Sequence, residues 1–192
     1  METLIGGFAS RCTALVLVTI GLAACGAARP PIERVPQVDL DRFMGDWYVI
    51  AHIPTFIEDE AEDAIERYDR NADGSIATTF SFHEGDPVGE REVYHATGFV
   101  RPGTGNAVWD MQFVWPFRSE YIVGRLDADY RHVVIVRSAR DYAWVMARSP
   151  SLPEAELGAL TAWLGAQGYD LSGLRRVPHR SEAGQGAGAA PP

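Results

Sequence analysis

The chain has 192 residues, of which 46 % are apolar and 22 % charged, and a formal net charge of -9. That is ordinary globular usage, with length for one domain and a full core, and it excludes a disordered chain. The acidic excess repels phosphate backbones and anionic headgroups, so nucleic acid is excluded as a partner and membrane attachment has to be hydrophobic.

Residues 12–24 form an apolar run, Cys-Thr-Ala-Leu-Val-Leu-Val-Thr-Ile-Gly-Leu-Ala-Ala, preceded by Arg11 and Glu2. A membrane span needs about 20 apolar residues, and this run is shorter. It fits the apolar and cleavage regions of a secretory signal, which assigns residues 1–24 to a lipoprotein signal peptide. The run closes on Leu22-Ala23-Ala24-Cys25, which resembles the bacterial lipobox. The resemblance implies that Cys25 is acylated and becomes the first mature residue, and more than one acyl chain holds a protein stably on a bilayer. Gly26, not Asp, follows, which by the same resemblance implies sorting to the outer membrane, facing the periplasm. The only other cysteine is Cys12, so the mature chain has no disulfide framework and no cysteine-based metal site.

Residues 25–38, rich in Ala, Pro and Arg, read as a lipidated tether, and 181–192, mostly Gly, Ala and Pro, as a disordered tail. Between them, 39–180, lie short alternating runs at 45–53, 64–70, 75–83, 91–101, 107–114, 119–126, 131–138 and 142–148. Turn signals part them, among them Asn71-Ala72-Asp73-Gly74, Arg101 to Asn106 and Asp127-Ala128-Asp129-Tyr130. Eight short strands with short turns imply an all-β, antiparallel, up-and-down closed barrel, which has no exposed edge. Ser151-Leu152-Pro153-Glu154 predicts a capping box. The helix after it carries Leu157, Leu160, Trp163 and Leu164 on one face, against the outside of the barrel, and ends at Gly168. A last edge strand is expected between Leu174 and Val177.

The first strand opens with Gly45-Asp46-Trp47-Tyr48 behind a single helical turn, Asp39 to Met44. Further on come Asp129-Tyr130 in a turn and Arg148 just before the helix. In this order the three elements resemble the lipocalin signatures, with Ala128 where the second usually has Thr, and the resemblance covers about 39–178. Within that family the chain is most similar to the bacterial lipoprotein lipocalins and apolipoprotein D. The resemblance implies that Gly45, Trp47, Asp129, Tyr130 and Arg148 are structural, with Arg148 lying across Trp47 at the closed end of the barrel. It also implies a cavity at the open end for a fatty acid, a lysophospholipid or a similar amphiphile.

Alternation together with the lipocalin resemblance selects the inward faces. Trp109, Met111 and Phe113 share one face of the fifth strand, Trp144 and Met146 one face of the eighth, Phe80 and Phe82 one of the third, and Tyr121 and Val123 one of the sixth. Tyr68 and Trp144 resemble positions that line the pocket in apolipoprotein D. The ten are the expected ligand-binding residues. In the loop after the first strand, Phe56 and Ile57 are expected to touch ligand or membrane.

Chemistry is sparse. The five histidines show no metal-ligand spacing; there is no nucleophile elbow, P-loop or dinucleotide fingerprint, and His95 is the one fair candidate for a haem ligand. No catalytic residue, metal or cofactor is expected, and the chain reads as a binder rather than an enzyme. The other readings are a filled barrel serving as an envelope interaction protein, and an isomerase or hydrolase acting on bound lipid.

Overall fold

The computed structural model describes residues 29–55, 58, 60–85 and 89–180. The signal peptide, Cys25, the tail 181–192 and the loop residues Phe56 and Ile57 lie outside the described residues.

The described chain forms α1 (Leu40–Phe43), then β1 (Gly45–Ile53), β2 (Ala61–Arg70), β3 (Ile76–Glu84), β4 (Arg91–Val100), β5 (Val108–Gln112), β6 (Ser119–Leu126), β7 (His132–Val136) and β8 (Ala143–Ala147). α2 (Glu154–Ala166) and the two-residue β9 (Arg175–Arg176) follow. Neighbouring strands are antiparallel in the order β2 to β8, then β1, and β1 pairs back onto β2, so the sheet closes into the expected eight-stranded barrel.

Alternation sorts the side chains into two cores. Trp47, Val49, Trp109, Tyr121, Val123, Val133, Ile135 and Met146 point into the lumen. Ile122, Val134, Val136, Val145 and Ala147 point outward and are covered by Leu157, Leu160 and Leu164 of α2. Strands under the helix are thus buried on both faces and read as continuous apolar runs, whereas β2 to β4 keep polar outer faces. Gly124 marks the bulge in β6, and a side chain there would sit 2.5 Å from the ring of Trp163, which lies directly on it.

The capping box does not form. Leu152 precedes proline and is biased away from helical torsions, so α2 starts only at Glu154, after Pro153, with no side-chain cap. Glu154 instead engages Arg176 of β9. The helix ends at Gly168, which has φ +85°, as Tyr169 N–H reaches back to the Leu164 carbonyl at 3.2 Å.

Several boundaries move, three of them with consequences for the packing. β2 begins three residues before the expected 64, because a bulge between Glu62 and Ile65 carries acidic residues into the strand. β5 stops at Gln112, leaving Phe113 and Val114 beyond it. The packed chain also starts earlier than Asp39: Ile32 and Val38 are buried, Val35 N–H bonds the Val123 carbonyl at 3.0 Å and Val38 N–H the Gly105 carbonyl at 2.7 Å. The unit that holds the barrel thus begins at Pro31, eight residues before the expected Asp39. The apolar Ile32, Val35 and Val38, three residues apart, are what the wall takes up.

The barrel base is built around Arg148. Its Nη1 donates to the Asp46 carbonyl at 2.7 Å, and its Nη2 faces the carbonyls of Arg42, Phe43 and Met44 at 2.8–2.9 Å. Its guanidinium carbon stands 3.8 Å from the centre of the Trp47 ring. Gly45 turns beneath it at φ +92°, a torsion that suits glycine. In the Asp129–Tyr130 turn, the Tyr130 hydroxyl accepts from Asp39 N–H at 2.8 Å and Arg42 covers the Tyr130 ring at 4.1 Å. Asp127, not the exposed Asp129, holds that turn, accepting from the backbone N–H groups of Arg131 and His132.

At the seam, β1 pairs with β2 only from Gly45 to Tyr48. Beyond that point the C-terminal segment fills the gap: β9 pairs with Ala51 and His52, Val177 N–H bonds the Ile50 carbonyl at 3.0 Å, and Asp63 N–H bonds the Pro178 carbonyl at 2.9 Å. Arg180 engages the Asp63 carboxylate.

Charge-assisted hydrogen bonds contribute about 1.5–3 kcal/mol and a guanidinium over an indole about 0.5–2 kcal/mol. Replacing Arg148 with Ala is expected to lower the unfolding free energy by about 2–4 kcal/mol, read by urea denaturation. A loss under about 0.5 kcal/mol, the range of an ordinary surface change, would contradict this role.

Candidate functional site

The lumen is filled at one end and hollow at the other. Near the base, Phe43, Trp47, Tyr68, Trp109 and Tyr121 form one aromatic cluster with ring centroids 5.1–6.2 Å apart. The indole N–H groups are satisfied within it, Trp47 donating to the Phe43 carbonyl at 2.8 Å and Trp109 to the Asn106 carbonyl at 2.7 Å. The hydroxyls of Tyr68 and Tyr121 bond each other.

Above this plug lies a cavity of about 360 Å³. At about 30 Å³ per water-sized group it has space for roughly a dozen. Of the ten residues expected to line it, Phe80, Met111, Phe113, Tyr121 and Trp144 do so. Tyr68 and Trp109 belong to the plug, and Phe82, Val123 and Met146 are buried in the packed core. Alternation and the family resemblance chose the right side of the sheet but not the height along it: Tyr68, Trp109, Val123 and Met146, nearer the closed end, pack into the filled core, while Phe82, further toward the mouth, is covered by the rings of Phe80 and Tyr94. The wall also holds Tyr94, Tyr142, Glu58 and Glu66. Tyr94 was discoverable as the inward neighbour of Ala96 and Gly98 on β4. Glu66 was equally discoverable, sharing the face of Tyr68 on β2, but its charge reads as solvent-facing; Glu58, an acidic residue in a loop, carried no such signal. His95 points outward and bonds Thr79 at 3.2 Å.

The two carboxylates differ. Burial pushes Glu58 up, but His52, the Thr55 N–H and the Trp144 indole N–H together hold it below the usual carboxylate range. The Thr55 N–H is 3.0 Å from the carboxylate, the indole N–H 3.1 Å and His52 Nδ1 3.6 Å. Glu66 lies one pleat above Tyr68, cross-strand from Trp47 on one side and Phe80 on the other. Burial pushes its carboxyl up to about 7; the Tyr68 hydroxyl opposes this and the nearby Glu58 adds to it.

The mouth carries an apolar tip. Past β5 the loop runs Phe113-Val114-Trp115-Pro116-Phe117, with Trp115 82 % and Phe117 75 % exposed. Phe113 and Val114 line the cavity, so this surface is continuous with the wall. A second depression, about 540 Å³, lies outside the barrel between α2 and β9. Among the described residues no three His, Cys, Asp or Glu are grouped to hold a metal ion. No helix among them is long and apolar enough to cross a membrane.

Because the Glu66 carboxyl ionises near 7 in the fold and near 4.5 in the unfolded chain, the fold loses stability as pH rises from about 4.5 to 7. The loss above pH 7 amounts to about 3 kcal/mol. Glu66→Gln is therefore expected to raise the unfolding free energy at pH 8 by up to about 3 kcal/mol and to change it little at pH 4. Equal effects at the two pH values would mean the carboxyl ionises as it does in water.

A family model described as a lipocalin-like domain matches residues 38–179. The outer membrane lipoprotein Blc of Citrobacter freundii is 27 % identical over 166 residues, covering 84 % of this chain and 92 % of the relative. Temperature-induced lipocalin-1 of Arabidopsis thaliana is 28 % identical over 156 residues, covering 77 % and 82 %. Among solved structures, insecticyanin from the tobacco hornworm Manduca sexta superposes with a TM-score of 0.60 at 18 % identity, covering 77 % of this chain and 84 % of that one. Lobster apocrustacyanin A1 gives 0.57 at 11 % identity, covering 77 % and 90 %. With the barrel, the helix outside it and the Arg148–Trp47 base already in view, the match over 38–179 is decisive: the chain belongs to the lipocalin family.

Proposed function

We propose that this protein is a lipid-anchored carrier of single-chain amphiphiles, of the fatty-acid or lysophospholipid kind, and that it binds them without chemical change. The observation that carries the reading is the half-hollow lumen: a cavity of about 360 Å³ above an aromatic floor, walled by Phe80, Tyr94, Met111, Tyr121 and Trp144. That volume lies at the small end of ligand pockets, which run from about 300 to 1,000 Å³. An alkyl chain of about a dozen carbons fills it; a longer one continues along Val114 and Trp115 at the mouth. Burying apolar surface supplies the drive, at about 25 cal/mol per Å² before the costs of association.

The envelope location rests on two supports. Relatives of 26–27 % identity are named outer membrane lipoproteins, and Leu22-Ala23-Ala24-Cys25 resembles the bacterial lipobox. The exposed apolar tip at the mouth suits a protein that works against a bilayer, since tryptophan and other apolar side chains favour its interface. The rival reading, a filled scaffold, draws on the plugged lower lumen.

Native mass spectrometry of protein purified without detergent separates the two. A copurified lipid of unaltered mass is the expected result; a cavity that stays empty on titration with decanoate, 1-decanol and decyltrimethylammonium alike favours the scaffold. Trp144→Ala, which opens the wall and removes an indole donor from Glu58, is expected to weaken binding of the copurified lipid about tenfold, or 1.4 kcal/mol. Unchanged affinity would place the ligand elsewhere. Cys25→Ser is expected to move the protein from the membrane to the soluble fraction on cell fractionation, and persistence on membranes would contradict the anchor.

A further inference from the structure

The charges on the cavity wall are uneven. Glu120 accepts from Arg101 at 3.3 Å and from Ser138 N–H at 2.8 Å. Arg137 at the rim is paired with Asp141 at 3.1 Å and lies over the Tyr142 ring at 5.3 Å. Glu58 has the Trp144 and Thr55 donors and faces His52. Glu66 differs from all three. It is 8 % exposed, forms no ion pair among the described residues, and has the Tyr68 hydroxyl as its side-chain partner. That hydroxyl is itself held by Tyr121.

A buried carboxylate without a counter-charge is costly, and a ligand that brings a positive charge removes the cost. The surroundings suit one. Phe80 is cross-strand from Glu66 and Tyr94 cross-strand from Phe80, and Tyr121 and Trp144 complete an aromatic wall. Aromatic faces attract cations, and for quaternary ammonium groups a cage of such rings can replace water. A carboxylate ligand would meet the opposite: two buried glutamates at depth and one guanidinium, already paired, at the rim.

We propose that the cavity selects, among single-chain amphiphiles, those whose polar end is a cationic nitrogen, seated at Glu66 inside the aromatic wall with the alkyl chain running to the mouth. The inference rests on the binding role proposed above and orders its ligand classes: free fatty acids fall behind ammonium-bearing chains. It carries a pH dependence. The titratable and charged groups around Glu66 are Glu58 from the β1–β2 loop, Tyr68 on its own strand, Tyr94 on β4, Glu120 and Tyr121 on β6 and Tyr142 just before β8, with His52 of β1 behind Glu58 and Arg137 at the rim. The tyrosines Tyr68 and Tyr121 stay neutral, burial pushing both far up. Glu66 gains its charge as pH rises through about 7, so affinity for a permanent cation rises across that window. Below it, binding the cation expels the Glu66 proton.

The test compares three ten-carbon probes on the full barrel by isothermal titration calorimetry: decyltrimethylammonium, decanoate and 1-decanol. At pH 8.5 the ammonium probe is expected to bind at least tenfold more tightly than decanoate. At pH 6 it is expected to release protons, seen as a dependence of the heat on the ionisation enthalpy of the buffer. Glu66→Gln is expected to shrink the ammonium-to-carboxylate ratio at least fivefold and to abolish the proton release, with a cooperative thermal melt showing that the variant is folded. Decanoate binding as tightly as the ammonium probe, or a ratio unchanged in Glu66→Gln, would overturn the inference while leaving the carrier role intact. Binding of none of the three would overturn both.

Discussion

The hollow of this barrel depends on one guanidinium. Arg148 comes from the end of β8 and gathers the carbonyls of the α1–β1 corner while lying on Trp47. Those carbonyls belong to chain leaving a one-turn helix, and in a buried corner they need a donor. An arginine meets several of them at once because its fork presents donors in fixed directions. With the corner fixed, Phe43 and Trp47 are held against Tyr68 and Trp109, and the floor of the cavity is set. The signature residues therefore act on the ligand at one remove: they build the surface on which the cavity stands.

The wall combines two demands that conflict. Apolar and aromatic faces supply drive for a greasy chain, whereas Glu66 in the same space costs stability whenever it ionises. Energetically a glutamine of the same shape would suit the empty barrel better. A residue that weakens the unoccupied fold but complements a particular polar group is the pattern expected of a binding position. Glu58 contrasts with it: three neighbours support its charge, and it braces Trp144 through the indole N–H rather than waiting for a partner.

Much of the architecture was legible from the residues. Alternation on β5, β6 and β8, with the family resemblance to choose the face, assigned Trp109, Tyr121 and Trp144 to the inside, and the Gly45–Trp47 and Arg148 elements located the base. The height of a side chain within the lumen was not legible, because period two gives face but not level. Tyr68 and Trp109 thus looked like wall but are floor. Composition misled at the edges, where Pro-rich residues 31–38 carry Ile32 and Val38 into the packing. Local rules misled at Ser151, where a cap pattern was overridden by the proline within it. Glu66 was passed over for a different reason: period two puts it on the face of Tyr68, but its chemistry reads as surface.

The way the seam is filled has a bearing on how this chain is made. Ala51, His52 and Asp63 find their backbone or ionic partners in residues 175–180, far along the polypeptide from β1 and β2. A nascent chain that has emerged only as far as β8 possesses every strand of the barrel yet leaves that stretch of wall unlatched. Completion waits on residues 175–180, so the cylinder shuts only after the helix that follows β8 has also been made.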